Sequence, residues 1–293
     1  MVPGQPSCSR SVITPIDDGL FQPGSVLRKV GHESVGLLGG GRALLLQLAH
    51  PLIAAGVTEH SRFQTEPLRR LEHTVDLMQA VIFGSRSQAE TALHQFHASH
   101  ASISGRLTQS AGRFPTGQVY TAQDPVLKLW VLATLLDSQL LVYEQFITLL
   151  SSVEYRRFFE ESGLLGEQLG IPAAMLPTTA TAFRDYMETM LAGDTIAVTT
   201  TAQALAKFLL NPPVGPVPAA CAHLVRFVTA GIMPERLRRD YGLGWTKRQQ
   251  ALLDTLAGMS RKLAPFFPAW LRYLPPLGGG GFVRWAIRGG RVR

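Results

Sequence analysis

A chain of 293 residues, 46% hydrophobic and only 17% charged, carries enough apolar material for a substantial core, which excludes disorder for most of its length. Leu, Ala and Val are abundant while aromatics stand at 8%, so helix is favoured over strand and the expected class is all-α. The net charge of +7 resides largely in Arg236, Arg238, Arg239, Lys247 and Arg248 and in a tail with Arg284, Arg288, Arg291 and Arg293; without interleaved stacking aromatics this reads as a solvated basic face rather than a nucleic-acid platform. Phe282, Trp285 and Ile287 in the same tail leave a peripheral contact with anionic lipid open. Cys8 and Cys221 fit neither a thiolate metal motif nor a disulfide framework, and the first twenty residues hold no continuous apolar stretch, so a reducing, cytoplasmic setting is expected.

In chain order, residues 1–25 form a Pro- and Gly-rich flexible segment. The run Gly39-Gly40-Gly41 then leads into Arg42 and an apolar helix ending at His50-Pro51. Glycines in front of a helix either let backbone N–H groups approach an anion, with Arg42 adding charge, or simply open a core helix. No strand precedes them and no Lys-Ser/Thr follows, so a P-loop and a dinucleotide fold are both unsupported. Pro51 must bend or end the helix. A polar cluster with Glu59 and His60 follows, and Glu66-Pro67-Leu68 starts a helix whose apolar positions Leu71, Val75, Met78 and Ile82 share one face.

Gly84 to Ser87 closes that helix, and Ser87 with Glu90 predicts a capping box for the next, which ends near Ser104-Gly105. A loop with Gly112, Pro115, Gly117 and Tyr120 leads to Asp124-Pro125, which opens a long helix through Trp130. Further helices are predicted over 152–169, 178–191, 199–210, 218–232 and 246–263, with a short one at Trp270. The Pro-rich stretch 211–218 reads as a connection within a single large helical domain, 26–275, followed by a basic tail over 276–293. The most apolar segments, 43–57 and 127–150, are broken by polar residues and read as buried helices rather than membrane spans.

Two polar constellations interrupt the apolar helices. His94, His97 and His100 recur every three residues, and Arg70, His73 and Thr74 share one helical turn. Each three-residue step rotates about 300°, so the outer histidines lie about 120° apart and the three cannot converge on one small ion. One metal ligand plus two surface or core histidines is expected instead. The paired Glu-x-x-His motifs of a di-iron bundle are absent, as are Gly-x-Ser-x-Gly and His-Glu-x-x-His. A guanidinium, an imidazole and a hydroxyl in one space suit the distal side of an oxygen-binding metal, which makes a heme iron between these two helices the hypothesis; the alternative is an exposed Arg beside a helix-interior Thr. Leu71, Val75, Met78 and Trp130 either line a substrate cavity or are plain core, and Glu59 and Glu72 are bases only if buried.

Residues 40–51, Gly56 to Ser61, Pro67 to Thr74, Phe83-Gly84, His100 to Gly105, Tyr120 to Pro125 and Leu129 to Ser138, with a weaker echo at Leu243-Gly244-Trp245, together resemble the bacterial branch of a heme-containing oxygenase family. That family includes the latex-clearing proteins and the mycophenolic-acid pathway oxygenase. The resemblance implies an all-α protein enclosing b-type heme, which in characterised members cleaves carbon–carbon double bonds of isoprenoid chains with dioxygen. His100 would be the proximal iron ligand, Arg70, His73 and Thr74 would occupy the distal side, Glu59 would be the remaining candidate for a general base, and Arg42 and Trp130 are further candidates for holding the cofactor. Relatives tend to carry Arg or Lys at position 73, so His73 is either a distal hydrogen-bond donor or a second iron ligand. Leu132 stands where many relatives have His. The expected function is a heme b oxygenase or oxidase using O2 on an apolar small molecule; the rival is a heme sensor or carrier with both axial positions filled by His.

Overall fold

The computed structural model describes residues 19–60, 67–210 and 216–273, and the basic tail lies outside them. The chain is all-α. Its helices are α1 Val26–Gly31, α2 Gly40–Leu48, α3 Pro51–His60, α4 Pro67–Phe83, α5 Arg86–Ala101, α6 Pro125–Phe146, α7 Ser152–Gln168, α8 Ala180–Ala192, α9 Thr200–Leu210, α10 Pro216–Ile232, α11 Glu235–Asp240, α12 Lys247–Leu263 and α13 Ala269–Arg272. The predicted series is present, with ends displaced by one to three residues where caps decide. The capping box of α5 is Ser85 with Gln88 rather than Ser87 with Glu90. Both pairs have the required spacing, but Ser87 already sits in the first turn, where its carbonyl accepts the Thr91 hydroxyl at 2.8 Å.

Helices α1 and α11 were not foreseen, and neither was a hairpin: α5 ends at Ala101, and Ser104–Arg106 (β1) pairs antiparallel with Val119–Thr121 (β2). Tyr120, expected in a loop, is therefore a strand residue opposite Gly105.

Helix α6 is apolar all round and is accordingly central, with 67% of its most apolar window buried. It packs on α2, and a second, smaller core joins its end to α10 and α12 through Val142, Phe146, Val228, Ile232, Leu253 and Ala257. The glycine run serves this packing rather than an anion. A 3-10 turn over Ser34–Gly39 runs straight into α2, and Gly39 and Gly40 are themselves in the helical region. A Cβ on Gly39 would stand 2.8 Å from the Ser138 carbonyl of α6, and one on Gly41 would overlap the Thr229 hydroxyl of α10. Glycine is what lets three helices touch.

Pro51 produces the expected bend, 103° between α2 and α3. Turning the chain there sends the His50 N–H to the Gln47 carbonyl, so the Leu46 carbonyl loses its helical donor. The buried Trp130 indole replaces it at 3.1 Å, and the Tyr241 hydroxyl donates to the Leu45 carbonyl at 2.7 Å. His50 sits inside the bend, 1% exposed, against Phe114 at 5.2 Å, with no partner for Nδ1 among the described residues.

Burial pulls the His50 pKa down to about 4. Above pH 6.5 the ring is neutral whether the chain is folded or not, so it has no pH-dependent effect. Between pH 6.5 and 4 the unfolded chain binds the proton and the folded one does not, so stability falls by about 1.4 kcal/mol per pH unit, about 3 kcal/mol in all. Urea midpoints at pH 7, 5.5 and 4.5 should show this slope in wild type and a shallower one in His50→Gln. Identical slopes would contradict it.

Candidate functional site

Between α3, α4, α5 and α6 lies a cavity of about 1310 Å³. Pockets for drug-sized ligands measure roughly 300–1,000 Å³, so this one is large enough to take a group of tetrapyrrole size. α5 contributes Gln88, Ala92, Gln95, Phe96, Ser99 and His100, steps of three and four that mark one helix face. α4 contributes His73, Thr74, Leu77 and Met78, and α6 contributes Leu127, Val131, Leu132 and Leu135. The lining is mostly apolar. Leu132 is one of the residues that keep it so.

Of the three histidines at helical spacing, one reaches this space. His94 is exposed. His97 Nε2 lies 3.0 Å from the Gln168 carbonyl, tying α5 to the end of α7. His100 lines the cavity and packs against Phe96, with the rings tilted and their centroids 4.2 Å apart. Its Nδ1 lies 2.9 Å from the Phe96 carbonyl, an acceptor only, so Nδ1 carries the proton and the lone pair of the neutral ring is on Nε2. The Ser99 hydroxyl also lies 3.1 Å from Nδ1. Ligating histidines are commonly oriented in this way, by a backbone carbonyl on the other nitrogen.

His73 and Thr74 line the same cavity from α4, in keeping with their shared face. Arg70 belongs to that helix, one turn earlier, but its side chain lies outside the described residues. Glu59 is not part of the wall. It accepts the Tyr120 phenol in a short hydrogen bond, and Tyr120 lines the cavity. Burial, and then the Glu59 carboxylate, hold the Tyr120 pKa well above its ordinary value, so the phenol remains a donor. His60 joins them, with Nε2 3.0 Å from the Ser104 carbonyl and 3.9 Å from Glu59 Oε2.

Arg42 and Trp130 stand apart from the cavity lining. Arg42 donates to the Ile232 carbonyl at 2.9 Å and the Ser138 hydroxyl at 2.8 Å, and pairs with Asp137 at 2.6 Å. Trp130 is committed to Leu46. Sequence reasoning missed Tyr120 and Lys128 as wall residues; a charged residue in the first turn of a mainly apolar helix was the available signal for Lys128.

Among the described residues no group of three or more His, Cys, Asp or Glu is arranged to hold a metal ion. A heme iron needs only one axial imidazole from the protein, and His100, held by its own helix on the wall of a large, mainly apolar cavity, fits that requirement. A family model described as the catalytic domain of ER-bound oxygenase mpaB/B'/rubber oxygenase matches residues 27–262. Comparison with curated proteins and with solved structures finds no match.

Proposed function

The chain belongs to the mpaB/rubber oxygenase catalytic-domain family, an oxygenase family, and on that premise we propose that it is a heme b-dependent oxygenase acting with O2 on an apolar small molecule. The observation that carries this reading is His100: an imidazole on the cavity wall, with Nδ1 engaged by its own helix and its lone pair on Nε2. When bound, heme supplies the dioxygen and electron-transfer chemistry that no side chain here can perform. His100 would hold it through Nε2. Thr74 and His73 would offer hydrogen-bond donors from α4, with Arg70 as an added cation on that helix. The apolar residues of α3 and α6 would exclude water and orient an apolar substrate, for which an isoprenoid alkene is the class the family suggests.

Tyr120 and Glu59 supply the proton-handling pair, since the phenolic proton sits between Tyr120 Oη and the Glu59 carboxylate at the edge of the cavity. Gly105 makes the pair feasible. A Cβ there would stand 2.5 Å from Tyr120 Oη and 2.6 Å from Glu59 Oε2. Gly105→Ala should therefore part the two groups and lower kcat by about 100-fold, the low end of general acid–base effects, with heme content unchanged. Oxygen uptake by the heme-loaded chain, given a short polyisoprene, measures both claims. Substrate-dependent uptake, reduced in Gly105→Ala, is expected; a fully loaded protein with no uptake across a panel of apolar alkenes would overturn the oxygenase reading.

One observation favours a second reading. His73 and His100 line the same cavity, so both axial positions of a heme could be filled by imidazole, as in a sensor or carrier. Slow carbon monoxide binding to the reduced protein, accelerated in His73→Ala, would distinguish it.

A further inference from the structure

A lysine stands in the first turn of α6. Lys128 lines the cavity among apolar residues, flanked by Leu127 and Val131. Its Nζ donates to Gln123 Oε1 at 3.0 Å and lies 6.0 Å from the centre of the Phe96 ring, the same ring that packs against His100. Gly170 lies beside it as well. That residue is in the left-handed region at φ +80°, and a Cβ there would stand 3.2 Å from Nζ.

Among the described residues no carboxylate lies within ion-pair distance of this ammonium. Asp124, one turn earlier, spends its Oδ1 on the Val126 N–H at 2.8 Å, capping α6. His97, the other titratable group beside Gly170, is turned to the Gln168 carbonyl. Asp76 belongs to the cavity wall on α4. Burial lowers the Lys128 pKa. A partly desolvated cation compensated by a neutral amide and a ring face, with no carboxylate beside it, is stabilised by an anion that becomes buried against it.

We propose that Lys128 is a binding residue for a carboxylate carried by the cavity's occupant, held one phenyl ring away from His100. The carboxylate has two sources, a propionate of the heme or the acid group of an apolar substrate such as a fatty acid. The first source rests on the heme reading above; the second does not need it.

Lys128→Met and Lys128→Arg, made in the full chain, test this in two arms. The first titrates heme b and its dimethyl ester, whose propionates are capped, and follows absorbance. The second, without heme, measures binding of a long-chain fatty acid and its methyl ester by calorimetry. Wild type should prefer the free acid by about 10-fold in one arm, Lys128→Met should lose that preference, and Lys128→Arg should keep most of it. Preference in the first arm identifies a propionate, and preference in the second identifies a substrate acid group. Equal binding of acid and ester by wild type in both arms, or a preference that survives Lys128→Met, would overturn the proposal. Failure of either porphyrin to bind while the fatty-acid preference persists would sink the heme reading and leave Lys128 its role.

Discussion

His100→Ala should lower heme affinity by at least about 100-fold, since loss of a partner that merely supports a metal ligand already costs 10- to 100-fold. The ring is oriented by two groups of its own helix, the Phe96 carbonyl at 2.9 Å and the Ser99 hydroxyl at 3.1 Å from Nδ1. Removing the side chain leaves no second imidazole on α5 able to replace it. His97 is tied to Gln168 at 3.0 Å and His94 faces solvent. Titrating heme into the three alanine variants separates the histidines. His97→Ala should bind heme normally and lose about 1 kcal/mol of stability with its hydrogen bond, and His94→Ala should match wild type. Free imidazole should restore the axial absorbance of a His100→Gly protein. Equal affinities in all three alanine variants would remove His100 from the site.

The second large effect concerns stability rather than chemistry. Arg42→Ala should destabilise the fold by about 3 kcal/mol, the low end of the range for breaking a buried ion pair from one side, because Asp137 is partly exposed. Its guanidinium is almost wholly buried and holds three groups from two helices: Asp137 and Ser138 on α6 and the last carbonyl of α10 at Ile232. Truncation strands all of them at the junction of the two cores. The loss should appear as a fall in melting temperature of roughly 10 °C. Arg42→Met combined with Asp137→Leu should recover much of it, because apolar replacement of both partners removes the stranded charge. A stable Arg42→Ala protein that has lost heme would instead restore the anion-binding role that the glycine run suggested.

The helices were legible because their apolar periodicity and caps are local. Pro67 opens α4, Asp124 and Pro125 open α6, and the phase of the three histidines already required that they point to different surroundings. What escaped were features decided by distant partners. Gly39 to Gly41 reads equally as an anion approach or as a packing surface until Ser138 and Thr229 arrive from other helices. Arg42 beside those glycines looked like part of a binding site for the same reason. The two strands are three residues each, too short for a pattern, and they alone bring Tyr120 to Glu59, 61 positions earlier in the chain. Ser85 and Ser87 both satisfied the capping spacing, and only the backbone distinguishes them.

The most direct test of the account is stoichiometric titration of heme into the wild-type chain, followed by reduction and addition of carbon monoxide. Saturation at one heme per chain, with a carbon monoxide spectrum typical of an axial histidine on the opposite side, is the predicted result. Heme that associates without saturation, or a reduced form whose carbon monoxide spectrum is the same in wild type and His100→Ala, would contradict it.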